Sequence, residues 1–346
     1  MKRTHKVDEQ KLLLPIYYIG QIAEELETQG INSQNWLVKH GLNKERLTDQ
    51  SYTITLYAYK LLILDALSLT KHPSLGLLVA KRIGLTAHGM LGYAVIASSC
   101  LRETIEIIGR YLNTRQPLIR LELSHEGTVL AVQLHPCYPL DKIEGPFLES
   151  SILVLYNMLM QVTQGAPPIT HIYLPFPKPD YADLLSELFD FEIVFNSNVA
   201  SIGLKNSELD TPLAMADKNS LHQAKQICEQ ELEKLQLAEL LQTRIRKYLL
   251  SSKEGFPSLE QASRYFNMST RTLHRQLKKE GCSFSDILTS VRKFAAIKLL
   301  DNSAMTVQEI SLRLGYSDIA NFRKAFKQWT GTPPSDYRNK NSSTFR

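Results

Sequence analysis

The chain lacks any long apolar run. No stretch reaches about 18 uninterrupted apolar residues, so no membrane span is read from it. Cysteine is scarce. The four residues, Cys100, Cys137, Cys228 and Cys282, form no CxxC pair, which implies neither a zinc site nor a disulfide framework. No Walker loop, GxGxxG or HExxH occurs, so the common phosphate-cradling and metalloprotease signatures are missing. With no catalytic constellation in view, the expectation is a protein that is not an enzyme and that carries no cofactor or metal. The opening MKRTHKVDEQ is basic, but no signal-peptide pattern with a small-residue cleavage site follows it, and a cytoplasmic location is the default expectation.

What is present suffices for two globular domains: 346 residues, 43% of them hydrophobic. Charge is uneven. Residues 253–346 carry 16 Lys and Arg against 8 Asp and Glu, a net of +8 in a chain whose total is +5, so the remainder sums to −3. A basic C-terminal module on a mildly acidic body points to a polyanionic partner at one end.

The stretch 310–338 organises the reading. Ile310 and Leu314 form a short apolar stripe, and Gly315 follows as a C-cap candidate. Ser317 or Asp318 can cap a second helix, on which Phe322, Phe326 and Trp329 make an apolar face. Asn321, Arg323, Lys324 and Lys327 lie off that face, and Gly331 with Pro333 and Pro334 ends the helix. Helix, tight turn, basic helix is the build of a helix-turn-helix reader; an amphipathic hairpin with a solvated face has the same pattern. A second copy upstream decides between them. At 258–280, Leu259, Ala262 and Phe266 make an apolar face, Asn267 takes the turn, and Ser269 caps a helix with Leu273 and Leu277 inward and Arg271, His274, Arg275 and Lys278 outward. Residues 284–302 read as one long helix between the two units.

This C-terminal stretch resembles the DNA-binding domain of the AraC/XylS family of bacterial transcription regulators. The family signature stands here as Ile310, Leu314, Gly315, Tyr316, Phe322, Phe326, Lys327, Gly331, Thr332, Pro333, Tyr337 and Arg338. One departure is Lys324, where the family usually has Arg; lysine lacks the planar fork needed for bidentate contacts. The resemblance implies that Arg271, His274 and Arg275 face base edges from the first unit. Ile319, Ala320, Asn321, Arg323 and Lys324 form the matching face of the second, and Lys278 and Lys327 position the backbone.

The body is read as α+β. Helices are expected over 15–30, 32–40, 55–70, 74–83, 101–112, 147–162 and 181–189. Strands are expected over 118–123, 129–134, 169–174, 192–195 and 201–204, with Glu126-Gly127 turning a hairpin. Gly89 and Gly92 allow close backbone approach. The run HGxLGYA at 88–94, with the helix and hairpin after it, resembles an AraC-family subgroup whose N-terminal domain is called arabinose-binding-like, although arabinose is rarely the ligand. The expected organisation is an α+β regulatory domain at 1–210, a linker helix at 211–236, and an all-α DNA-binding domain at 237–346 with helix-turn-helix units at 258–280 and 306–330.

Within the linker, Leu221, Ile227, Leu232 and Leu235 give an imperfect seam, which serves either a dimer contact or packing on its own domain. Effector-binding candidates are His88, Tyr93, Arg110, Arg120 and Tyr156. His88 beside glycines fits a structural role as well, the two arginines fit either a forked bond to an acidic effector or a solvated surface, and Tyr156 fits a core position. The expected function is a sequence-specific regulator of bacterial promoters, an activator working as a homodimer on double-stranded DNA. A small-molecule effector and RNA polymerase are its further partners. A ligand-independent regulator, whose N-terminal domain serves dimerisation or protein-protein control, is the alternative.

Overall fold

Leu13–Pro15 (β1) pairs antiparallel with Thr53–Thr55 (β2), so Pro15 closes a strand instead of opening a helix. A two-stranded ribbon has edges that tolerate a residue without an N–H, and the helix expected from residue 15 begins at Ile19. The computed structural model describes residues 12–49, 52–189, 191–252, 255–302 and 305–343. The basic opening lies outside the described residues.

The first layer is helical: α1 (Ile19–Thr28), α2 (Ser33–Lys39), α3 (Lys44–Leu47), α4 (Leu56–Thr70) and α5 (Leu75–Arg82). Side-chain caps set three of the starts. Asn32, Asn43 and Thr55 accept from the backbone N–H of Asn35, Arg46 and Ala58. Leu26, Trp36, Leu37, Leu62 and Ala66 meet in the core these helices close. A 3-10 turn, Leu85–His88, leads into α6 (Met90–Ile96), a helix not expected from sequence. Gly92 is required there: a Cβ would sit 1.9 Å from the Leu85 carbonyl oxygen. Then come α7 (Leu101–Tyr111), β3 (Ile119–Glu126), β4 (Val129–Pro136), α8 (Glu144–Val162), β5 (Ile169–Tyr173), α9 (Ala182–Leu188), β6 (Glu192–Val194) and β7 (Ala200–Lys205).

The main sheet has the order β3-β4-β7-β5-β6, antiparallel except for β5 with β6. The β3–β4 hairpin runs in register from Ile119↔Pro136 to Glu126↔Val129, with Gly127 at φ +61 in its turn. Central β7 is buried along Ala200–Leu204 because strands flank both its edges and α8 covers it. The body is thus α+β, as the hairpin and helix patterns predict.

The described residues up to Leu235 form one compact unit and those from Gln236 onward another. The second is helical: α11 (Leu241–Ser251), α12 (Leu259–Tyr265), α13 (Thr270–Lys279), α14 (Phe284–Asn302), α15 (Val307–Arg313), α16 (Ile319–Thr330) and α17 (Pro334–Ser343), preceded by α10 (Lys218–Ala238), which starts in the body. Helix α14 serves two cores. Phe284, Ile287 and Val291 pack with Leu241, Leu273 and Leu277, whereas Ala296 and Leu300 pack with Ile310, Phe322 and Phe326.

Candidate nucleic-acid interface and ligand cavity

Both helix pairs are built by the same local devices. Ser258 and Thr306 each form a capping box, with Gln261 and Glu309 returning to the N-cap backbone. The chain then reverses at positive φ, Asn267 at +52 in the first unit and Gly315 at +74 in the second. The second helices start on caps: Ser269 accepts from the Thr272 N–H at 3.1 Å, and Asp318 from the Ala320 N–H at 2.9 Å. Of the two capping residues considered, Asp318 is therefore the one used. Met268 alone separates turn residue from cap in the first unit, Tyr316 and Ser317 in the second, so α16 begins one residue later. With that shift, buried Leu273 and Leu277 match buried Phe322 and Phe326.

The same shift aligns the outer faces. Arg275 corresponds to Lys324, Lys278 to Lys327, His274 to Arg323, and Arg271 to Ala320. Arg271, His274, Arg275, Lys278, Ala320, Asn321, Arg323, Lys324 and Lys327 are all exposed, and Ile319 is half-buried. Among the described residues, none of these charged side chains has an ion-pair partner. Each unit therefore presents a positive face whose charge is left uncompensated among the described residues.

The α+β unit holds a cavity of about 120 Å³ between α1, α4, α5, α8 and the β3–β4 hairpin. Most of its wall is aliphatic. His88 is part of that wall and is buried; its Nδ1 lies 2.8 Å from the Tyr18 hydroxyl, and its Nε2 has no partner. Burial, with the Arg115 guanidinium nearby, pulls the His88 pKa down to about 4, so the ring is neutral at physiological pH. Burial pushes the Tyr18 and Tyr59 hydroxyls upward, and both stay protonated.

The family model described as "Arabinose-binding domain of AraC transcription regulator, N-term" matches residues 30–213, more than half of the chain. The chain belongs to the AraC family of transcription regulators. A helix-turn-helix domain model matches residues 262–340, which span the second helix-turn-helix unit and most of the first. The ornithine utilization regulator of Pseudomonas aeruginosa is 29% identical, over 94% of this chain and 96% of its own. The regulator VqsM of the same organism is 31% identical over 76% of this chain and 83% of its own. Among solved structures, the transcriptional regulator CdpR from Pseudomonas aeruginosa aligns with 88% of this chain and 96% of its own at 22% identity and a TM-score of 0.42. The chain is an AraC-family transcription regulator with a helix-turn-helix DNA-binding domain and an arabinose-binding-like N-terminal domain.

In this AraC-type N-terminal domain, the five effector candidates do not converge. Only His88 lines the cavity. Tyr93 is 56% exposed on α6, because the glycine side of that short helix turns inward and Tyr93 turns out. Arg110 is committed to the linker helix, where Nη2 donates to Glu229 at 2.9 Å. Arg120 pairs with Glu122, two residues along the same strand. Tyr156 is buried edge-on against Phe189, at 4.9 Å between ring centroids.

Sequence reasoning missed the cavity's other polar groups, Tyr18 and Tyr59, and it missed Arg115. Arg115 stacks 4.8 Å above the Tyr17 ring and donates from Nη2 to Glu231 on α10 at 2.9 Å. The linker seam also resolves differently from its spacing. Leu221, Ala224 and Cys228 are buried, while Ile227 and Leu235 are exposed. The first turns of α10 thus pack on the body, held further by Lys225 to Glu103 at 2.7 Å. Among the described residues no single helix is long and apolar enough to cross a membrane, and no cluster of His, Cys, Asp or Glu is arranged to hold a metal.

Proposed function

We propose that this regulator reads promoter DNA through the two outward faces of α13 and α16, and that a small molecule in the α+β cavity controls it. Arg271, His274 and Arg275 read base edges from the first unit. Ile319, Ala320, Asn321, Arg323 and Lys324 read from the second, with Lys278 and Lys327 on phosphates. The observation that carries this reading is the repeated pair of capped turns, each presenting cations without an ion-pair partner among the described residues. Such charge is stabilised when it displaces counterions from a polyanion. Residues 237–346 supply the reader, 1–210 the regulatory body and 211–236 the link between them.

The protein acts by binding, not catalysis, and as a DNA reader it works in the cytoplasm. As an activator it has RNA polymerase for a partner. Exposed Ile227 and Leu235, at 39% and 42%, offer an apolar strip for a second copy, which supports a homodimer. Sedimentation with and without DNA tests this: monomer under both conditions removes the homodimer. Control by a small molecule rests on the cavity and its unpaired histidine nitrogen. A metabolite that binds the folded state raises its melting temperature. A broad thermal-shift screen with no responder, together with DNA affinity that never changes, would leave the N-terminal domain with dimerisation alone.

A further inference from the structure

The cavity wall has a definite chemistry. Val154, Leu155 and Met158 face it from α8, and Leu121 and Leu134 from the β3–β4 hairpin. No aspartate, glutamate, lysine or arginine is among its lining residues. Its polar groups are neutral and few. Ser151 Oγ already donates to the Phe147 carbonyl at 2.8 Å, and the Tyr18 hydroxyl is taken up by His88 Nδ1. That leaves His88 Nε2, buried with no partner, and the Tyr59 hydroxyl, which makes no hydrogen bond among the described residues. Gln116 and Ser150 add two further neutral, half-buried side chains.

From this we infer that the effector is an uncharged, mainly hydrocarbon molecule of roughly six to nine heavy atoms with a single oxygen function, a simple phenol being the type that fits. The volume admits a ligand of this size: an apolar cavity of about 150 Å³ takes up benzene, and this one measures about 120 Å³. The oxygen satisfies the Tyr59 and His88 end, while the ring meets the aliphatic wall. Because His88 Nε2 is a donor in one tautomer and an acceptor in the other, a hydroxyl suits both. An amino acid such as ornithine brings three charged groups to a wall that carries no charged side chain, and the nearby Arg115 guanidinium is already paired with Glu231, so burying those groups unpaired is prohibitive. A pentose sets most of its hydroxyls against hydrocarbon, where they lose their hydrogen bonds to water.

This inference rests on the effector reading and narrows it. The experiment compares 4-methylphenol, toluene, L-ornithine and L-arabinose as ligands of the full chain, by thermal shift and calorimetry. The variants are Val154→Trp, which fills the cavity, and the triple variant Tyr18→Phe, Tyr59→Phe, His88→Leu, which stays close to the original volume and removes the polar end. The expected result is that 4-methylphenol binds about tenfold more tightly than toluene, the worth of one well-placed hydrogen bond. That difference should vanish in the triple variant. Val154→Trp should abolish both affinities; should it fail to fold, the triple variant still carries the comparison. Equal affinity for toluene and 4-methylphenol in the unmodified chain overturns the polar-end assignment. Binding of ornithine or arabinose without 4-methylphenol overturns the ligand class while leaving effector control standing. Absence of any ligand, with DNA affinity unresponsive to all four, overturns both.

Discussion

Replacing Phe322 with alanine should unfold the second helix-turn-helix unit while sparing the first. Phe322 is fully buried, with its ring 5.8 Å from Phe326 and 5.6 Å from Tyr316 between centroids. Truncating a buried phenylalanine costs about 3–5 kcal/mol through lost transfer energy and the cavity left behind. The second core can ill absorb that loss. It rests on six fully buried apolar residues, Ala296, Leu300, Ile310, Leu314, Phe322 and Phe326, against nine around Leu273 and Leu277. The two cores share α14 and the half-buried Phe256, which packs against both; along α14, Ile287 and Val291 contribute to the first core, Ala296 and Leu300 to the second. Hydrogen exchange measured by mass spectrometry on the full chain reads the outcome. Peptides across 305–338 should exchange roughly a hundredfold to several thousandfold faster, while peptides across 241–280 keep their protection. Equal loss of protection in both segments would show that the two units share one cooperative core, and the division drawn through α14 would be wrong.

Two other outcomes follow from buried charge. Glu149 is buried beside the Tyr181 hydroxyl at 2.9 Å, and burial raises its pKa from the ordinary 4.5 to about 7. Between those values the unfolded chain ionises first, so the Glu149 contribution falls as pH rises from 4.5 to 7, by roughly 3 kcal/mol in all. Denaturant titrations should show that Glu149→Gln flattens this slope; an unchanged slope would place the ionisation elsewhere. At the linker, Arg115 is almost fully buried while Glu231 keeps a third of its side-chain surface exposed. Glu231→Ala strands a buried cation and should cost about 3 kcal/mol, more than Arg115→Met, which leaves a carboxylate that water can reach. Melting temperatures of the two variants in the opposite order would refute that asymmetry.

The DNA-binding half was legible because its signals are local. Capping residues, positive-φ turns and i, i+4 faces all lie within a dozen residues of one another, and Asn267, Ser269, Gly315 and Asp318 fill the roles their chemistry allows. The cavity of the α+β unit was not legible. Its polar groups, Tyr18, Tyr59, His88, Gln116, Ser150 and Ser151, are scattered between residues 18 and 151, and nothing in apolar periodicity tells a packed face from one lining a void. Arg110 looked available, and Arg115 went unnoticed, because their partners, Glu229 and Glu231, lie on the linker helix more than a hundred residues away. Pro15 was misread for the same reason, since the strand that pairs with β1 is β2, beyond two intervening helices and the short turn of α3.

Selection of random duplex DNA by the full chain, followed by sequencing, tests the central claim most directly. Two recognition helices predict a bipartite motif whose halves lie about one helical turn apart. Arg275→Ala should relax base preference within one half, because a forked guanidinium contact is worth about 1–3 kcal/mol of discrimination. Lys324→Ala should leave the motif intact while weakening specific and non-specific binding alike and reducing the salt dependence by roughly one phosphate. No enriched motif would contradict sequence-specific reading altogether, and loss of the motif in Lys324→Ala with uniform weakening in Arg275→Ala would reverse the roles assigned to the two helices.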